Sequence, residues 1–205
     1  MKRIFFLTAC ATILSASGAF AQTAPPADSA KVEAMIKATF SKAPPEWQAR
    51  IELDETQRLC TDRRNQVSAA EADAIQKRET ASVVFPADGN FLGDWKKGYL
   101  VANVGTGGQF SDVPNGPVGG NCFACHQLDP KELSYGTIGP SLTAYGKDRK
   151  YDPQAMKDAW AKIYNSQSAF ACSNMPRFGA KKFLTEAQIK DVMAYLFDKE
   201  SPVNK

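Results

Sequence analysis

The chain has 205 residues, with 25 Lys and Arg against 22 Asp and Glu, a formal charge of +3 at pH 7 and 43% hydrophobic side chains. That length suits one small domain with a sizeable extension, and the near balance of charge argues against nucleic acid or an anionic membrane surface as the main partner. Beyond the first 21 residues no stretch approaches the roughly 20 apolar residues of a spanning helix, so no membrane span is expected.

Met1-Lys2-Arg3 is basic, Ile4 to Ile13 is apolar, and small residues close the segment at Ala19-Phe20-Ala21. That order is a secretory signal peptide over residues 1–21, with the mature chain starting at Gln22. The leader holds two of the 25 basic residues and none of the 22 acids, which leaves the mature chain at a formal +1. Leu7-Thr8-Ala9-Cys10 resembles a lipoprotein cleavage box that would leave a lipid on Cys10. Only Ile4 to Leu7 precedes it as an apolar region, short of the expected ~7–15 residues, so cleavage after Ala21 is preferred.

Residues 22–90 read as a separate helical extension. Ala30 to Phe40, Pro45 to Cys60 and Ser68 to Thr80 have helical patterns, punctuated by Pro25-Pro26, Pro44-Pro45 and Pro86. The charge runs Arg63-Arg64 and Lys77-Arg78-Glu79 read as solvated helix faces. Residues 91–205 form the second unit. Its first helix spans Gly93 to Val104, and a Gly-rich ordered loop, Gly105 to Gly120, follows.

Cys122-Phe123-Ala124-Cys125-His126 is a C-x-x-C-H haem-attachment pattern and contains the only histidine of the chain. Two thiols three positions apart can add to the two vinyl groups of a haem, and the histidine that follows supplies an imidazole ligand. A zinc site would need two further Cys or His ligands, and the mature chain offers only Cys60 and Cys172. A redox C-x-x-C should sit in a βαβ pattern, which the sequence lacks. The next stretch, Gly136-Thr137-Ile138-Gly139-Pro140-Ser141-Leu142, resembles the Gly-Pro-x-Leu loop of small c-type cytochromes, and that resemblance implies that the Pro140 carbonyl accepts the imidazole Nδ1–H bond and fixes the ring. The alternative is an ordinary turn.

A second histidine ligand is excluded by composition, so the expected sixth ligand is a methionine thioether. Met35 lies in the extension, Met156 in a helix over Pro153 to Tyr164, and Met193 on the apolar face of a helix over Thr185 to Phe197, whose Thr185 and Gln188 have capping-box spacing. Met175 differs, because Ser173-Asn174-Met175-Pro176-Arg177-Phe178-Gly179 is a loop that Pro176 and Gly179 keep out of regular structure. It is the candidate. Cys60 is the natural partner for Cys172 in an oxidising compartment, and a disulfide between them would tie the extension to the Met175 loop. The alternative is a free Cys172 near the haem, as a thiol ligand or a reactive site.

The helix order, with C-x-x-C-H after the first helix and a methionine loop before the last, resembles the class I cytochrome c fold, mainly α, here with an α-helical N-terminal extension. In that family the first and last helices cross at a close contact, for which Gly98 and Tyr195 are the candidates. Four stretches narrow the resemblance: Gly93-Asp94-Trp95-Lys96-Lys97-Gly98, Gly108-Gln109-Phe110-Ser111-Asp112, Gly119 through Leu128, and Leu133 through Leu142. Together they look like the SoxX family, the monohaem subunits of the SoxAX cytochromes of bacterial thiosulfate oxidation. The resemblance covers about residues 91–198. It implies one covalently bound haem c, held by Cys122 and Cys125 with His126 and Met175 as axial ligands, in a periplasmic heterodimer with SoxA. That complex joins thiosulfate oxidatively to a cysteine of the carrier SoxYZ, as an L-cysteine S-thiosulfotransferase. The catalytic site would lie on SoxA, and this chain would pass electrons to a downstream cytochrome c. The runner-up is a free-standing periplasmic electron carrier, which leaves the 105–120 insertion and the extension unexplained.

Overall fold

The computed structural model describes residues 28–109 and 111–205. The expected signal peptide over residues 1–21, the box ending at Cys10, Pro25-Pro26 and Phe110 lie outside the described residues. Among the described residues eight α-helices run in chain order: α1 Ser29–Thr39, α2 Pro45–Ile51, α3 Glu55–Asp62, α4 Ala69–Ala81, α5 Trp95–Asn103, the single turn α6 Tyr145–Asp148, α7 Pro153–Tyr164 and α8 Glu186–Phe197. Short 3-10 turns cover Cys122–Ala124, Ser166–Ser168 and Pro202–Asn204. No strand occurs among the described residues. The fold is that of a mainly α class I cytochrome c.

The helix expected over Pro45 to Cys60 is two helices. Glu52 is extended, and the Asp54 carboxylate accepts the Gln57 amide while the Gln57 side chain accepts the Asp54 amide, so a new capping box starts at residue 54. A side chain that satisfies backbone donors locally competes with helix continuation. The same device starts α4, at Ser68 with Glu71, and α8, at Thr185 with Gln188. The first helix of the second unit begins at Trp95 rather than Gly93, because Asp94 caps it by accepting from Lys96.

Helices α5 and α8 make the most extensive contact in the molecule. At their crossing a Cβ on Gly98 would overlap the Asp191 backbone and lie 2.8 Å from the Tyr195 Cβ. Only glycine lets the two backbones come this near. Around the crossing Val101, Ala102, Phe123, Leu128, Trp160, Ile189, Met193, Leu196 and Phe197 form one buried core. Tyr99 stacks edge-on against both Tyr195, at 5.8 Å between ring centroids, and Phe123, at 6.4 Å. The C-terminus closes this core. The Asn204 side chain accepts from the Gly146 and Lys147 amides and donates to the Leu196 and Asp198 carbonyls.

Cys60, Ile75 and Cys172 form a second, much smaller apolar cluster. Residues between the two clusters are pinned individually. The Trp160 indole donates to the Val84 carbonyl at 2.9 Å, and Phe91 stacks between Phe85 and Trp160. The Gly-rich loop is also built. Asp112 accepts from the Gly107 and Gln109 amides, Gly107 has φ +90° against Val118, and Gln188 of α8 donates to the Val118 carbonyl.

Candidate haem site

The site begins at Asn121, in the left-handed conformation, which turns the chain into the Cys122–Ala124 turn. The His126 amide then donates to the Cys122 carbonyl at 2.9 Å. Cys122 and Cys125 are free thiols. Burial pushes the Cys122 thiol up to about 12.

The 136–142 stretch folds back along this turn. Gly136 donates to the Phe123 carbonyl, Gly139 to the Cys125 carbonyl and Leu142 to the Gln127 carbonyl, at 2.7–2.8 Å. A Cβ on Gly136 would overlap the Ala124 carbonyl, and one on Gly139 would overlap the His126 ring. The imidazole Nδ1 lies 2.8 Å from the Pro140 carbonyl oxygen. With Nδ1–H donated there, Nε2 is the nitrogen left with a lone pair.

Met175 is half-buried and packs against the main core. Its carbonyl accepts from Ser166 Oγ at 2.5 Å, and its amide donates to Ser173 Oγ at 3.1 Å. Gln167 brackets the same loop, donating to the Ser173 carbonyl and accepting from the Ser173 amide. The other methionines have different surroundings. Met193 is fully buried on α8, Met156 packs on the core from α7, and Met35 is 65% exposed on α1. Cys60 and Cys172 are joined in a disulfide with their Cα atoms 5.4 Å apart, three residues before Met175.

One group on α4 departs from the sequence reading. Glu79 is 8% exposed rather than part of a solvated face. It accepts hydrogen bonds from Thr56 and from Asn165, the latter at 2.8 Å, and lies 3.6 Å from Arg177. Arg177 pairs at 2.5 Å with Asp54, which Lys181 also reaches at 2.8 Å. Burial pushes the Asp54 carboxyl up, but hydrogen bonds from Lys181, the Gln57 amide and Arg177 outweigh it and leave it at about 2. Glu79 is lowered in the same way, with burial opposed by Thr56, Asn165, Arg177 and Arg78. No local pattern marks Glu79, because its partners are distant in sequence. A cleft of about 700 Å³ runs between α3 and the 172–183 loop and borders Met175. It is not lined by Cys122, Cys125 or His126.

A family model described as Cytochrome c matches residues 118–198. An uncharacterized lipoprotein of Aquifex aeolicus (strain VF5) is 38% identical over 181 residues, which are 86% of this chain and 84% of that protein. The chain is a cytochrome c-domain protein of the same family as the Aquifex lipoprotein.

A cytochrome c domain carries covalently bound haem c and transfers electrons, and this one is extracytoplasmic. The residues in place fit the group. Two cysteines outside any disulfide stand at the required spacing, both half-buried, and the imidazole that follows is fixed by a carbonyl on Nδ1. The Cβ-free face of Gly139 meets that ring. No helix among the described residues is long and apolar enough to cross a membrane.

Proposed function

We propose that this cytochrome c holds a single haem with His126 and Met175 as axial ligands and serves as the periplasmic electron-transfer subunit of a SoxAX-type thiosulfotransferase. The observation that carries the haem chemistry is the 2.8 Å contact between His126 Nδ1 and the Pro140 carbonyl. It sets the tautomer and aims Nε2. When bound, the haem supplies one-electron storage, and a His/Met pair raises its potential. Ser166, Ser173 and Gln167 hold the Met175 backbone, and Cys122 and Cys125 supply the covalent sulfur atoms. Catalysis is assigned to SoxA, with SoxYZ as carrier and a downstream cytochrome c as acceptor.

The partner reading draws support from the loop beside His126. Leu133 is 94% exposed and Ile138 77% exposed, unusual for large aliphatic side chains flanking a ligand. The test is isolation of the native haem protein, with haem staining of its separated chains and addition of thiosulfate plus a candidate carrier. Migration with a second haem-staining subunit, and haem reduction only when thiosulfate and carrier are both present, is the expected result. Elution as a lone monohaem chain without such reduction replaces this reading with a free-standing carrier.

The relative's description as a lipoprotein favours a second reading of the N-terminus, in which Cys10 is lipidated. Mass spectrometry of the mature chain decides it. A start at Gln22 rules out the lipid, and an acylated Cys10 rules out the longer leader.

A further inference from the structure

We propose that the helical segment 55–81 is a clasp on the sixth-ligand loop, in which Glu79 and Arg177 are positioning residues that hold Met175 in place. This rests on the assignment of Met175 as axial ligand. Three connections converge on that loop. The disulfide fastens α3 to residue 172, three positions before Met175. The buried pair Glu79–Arg177 fastens α4 to residue 177, two positions after it. Asn165 completes the frame: its Nδ2 donates to Glu79 and to Ser82 Oγ, while its Oδ1 accepts from the Gln167 amide. The next residue, Ser166, donates to the Met175 carbonyl.

The energetic logic is specific to this arrangement. A thioether is a weak, neutral ligand, so an exogenous base competes with it for the iron unless the loop is held. Breaking one member of a buried charge pair leaves the other uncompensated, which costs far more than loss of a surface pair. Arg177 is 9% exposed and Glu79 10% at the side chain, and Arg177 also pairs with Asp54 at 2.5 Å, so withdrawing residue 177 would part it from two carboxylates at once. The clasp therefore opposes any movement of residues 172–177 that would withdraw Met175. The main core holds the far end of the loop, through Phe178 and the Gly179 and Ala180 amides on the Tyr164 carbonyl, and the clasp adds the restraint on residues 172–177.

The test uses the holoprotein, oxidised, with imidazole as the competing ligand. Glu79→Gln removes the charge opposite Arg177, and Ser166→Ala removes the donor to the Met175 carbonyl. Glu71→Gln is the control, since Glu71 caps α4 and pairs with Arg63 on the extension but touches none of residues 165–177. Glu79→Gln and Ser166→Ala are each expected to bind imidazole about tenfold more tightly, to weaken the methionine-to-iron charge-transfer band and to lower the midpoint potential, with covalent haem retained. Should Glu79→Gln fail to fold, Ser166→Ala carries the test alone. Equal tightening by Glu71→Gln overturns the clasp, because general loosening of the extension would then suffice. A band that Met175→Ala abolishes but both test variants leave intact overturns the clasp alone. A wild-type band that is absent, or survives Met175→Ala, overturns the ligand assignment and the clasp together.

Discussion

The α5–α8 crossing and the α3–α4 segment are held by opposite means. The crossing is apolar, glycine-mediated and continuous with a core of large side chains, among them Trp160, Tyr195 and Phe197. The segment has three buried hydrophobic residues in its cluster, two of which are the disulfide cysteines, and its other anchors are ionic or hydrogen-bonded. Apolar burial is insensitive to pH and to thiol reagents, whereas carboxylates respond to the first and disulfides to the second. The two regions should therefore fail under different conditions, although they share the Met175 loop.

The largest expected effect breaks the crossing. Gly98→Val places side-chain atoms where the Asp191 backbone lies, at a cost above about 3 kcal/mol, and should leave little folded, haem-loaded protein on purification. The double change Cys60→Ser with Cys172→Ser should cost about 2–4 kcal/mol, since the bridge closes a loop of 112 residues. Amide hydrogen exchange should then rise in residues 55–81 and 165–177 and stay slow in α5 and α8. Equal acceleration in both regions would mean that the two are one cooperative unit.

Acid separates the regions more gently. Asp54 falls from 3.8 to about 2 in the folded chain, so the stability it contributes is complete above pH ~4 and is lost as the pH falls toward ~2. Glu79 is lowered too, and adds in the same direction. Exchange in the segment should accelerate over that window before the helical circular dichroism of the core declines. The smallest effect concerns Tyr195, whose hydroxyl is buried with no hydrogen-bond partner among the described residues. Tyr195→Phe removes an unsatisfied group and should change the melting free energy by no more than about 0.5 kcal/mol, in the stabilising direction if at all.

The legible parts of the sequence were those whose signal is local. The capping box at Thr185 and Gln188, the proline that starts α7 and the C-x-x-C-H run are each contained within a few residues. Pro140 was reachable because its role depends on a neighbour only 14 residues away, bonded as a turn beside the motif. The break at Glu52–Asp54 escaped notice because Pro45 to Cys60 keeps a helical pattern, and nothing in periodicity announces that Gln57 caps backward. Glu79 is hidden in the sequence for a different reason. A glutamate in a charged helix is solvated by default, and only the arrival of Asn165 and Arg177, 86 and 98 residues later, buries it. The C-terminal lock at Asn204 is similar, since an amide near the end of a chain carries no sign that it will bridge α6 and α8.

The disulfide also sets a problem of order in biosynthesis. Its two cysteines flank both haem cysteines, with Cys60 ahead of them and Cys172 behind. As the chain emerges from its N-terminus, Cys60 meets Cys122 and Cys125 well before its own partner exists. Any bridge formed in that interval consumes a thiol that the haem requires, whereas Cys60–Cys172 is the only single bridge among the four that leaves both for thioether formation. With Cys122 and Cys125 as the proposed haem cysteines, the yield of haem-loaded protein is expected to fall if Cys60 is oxidised before Cys172 is available.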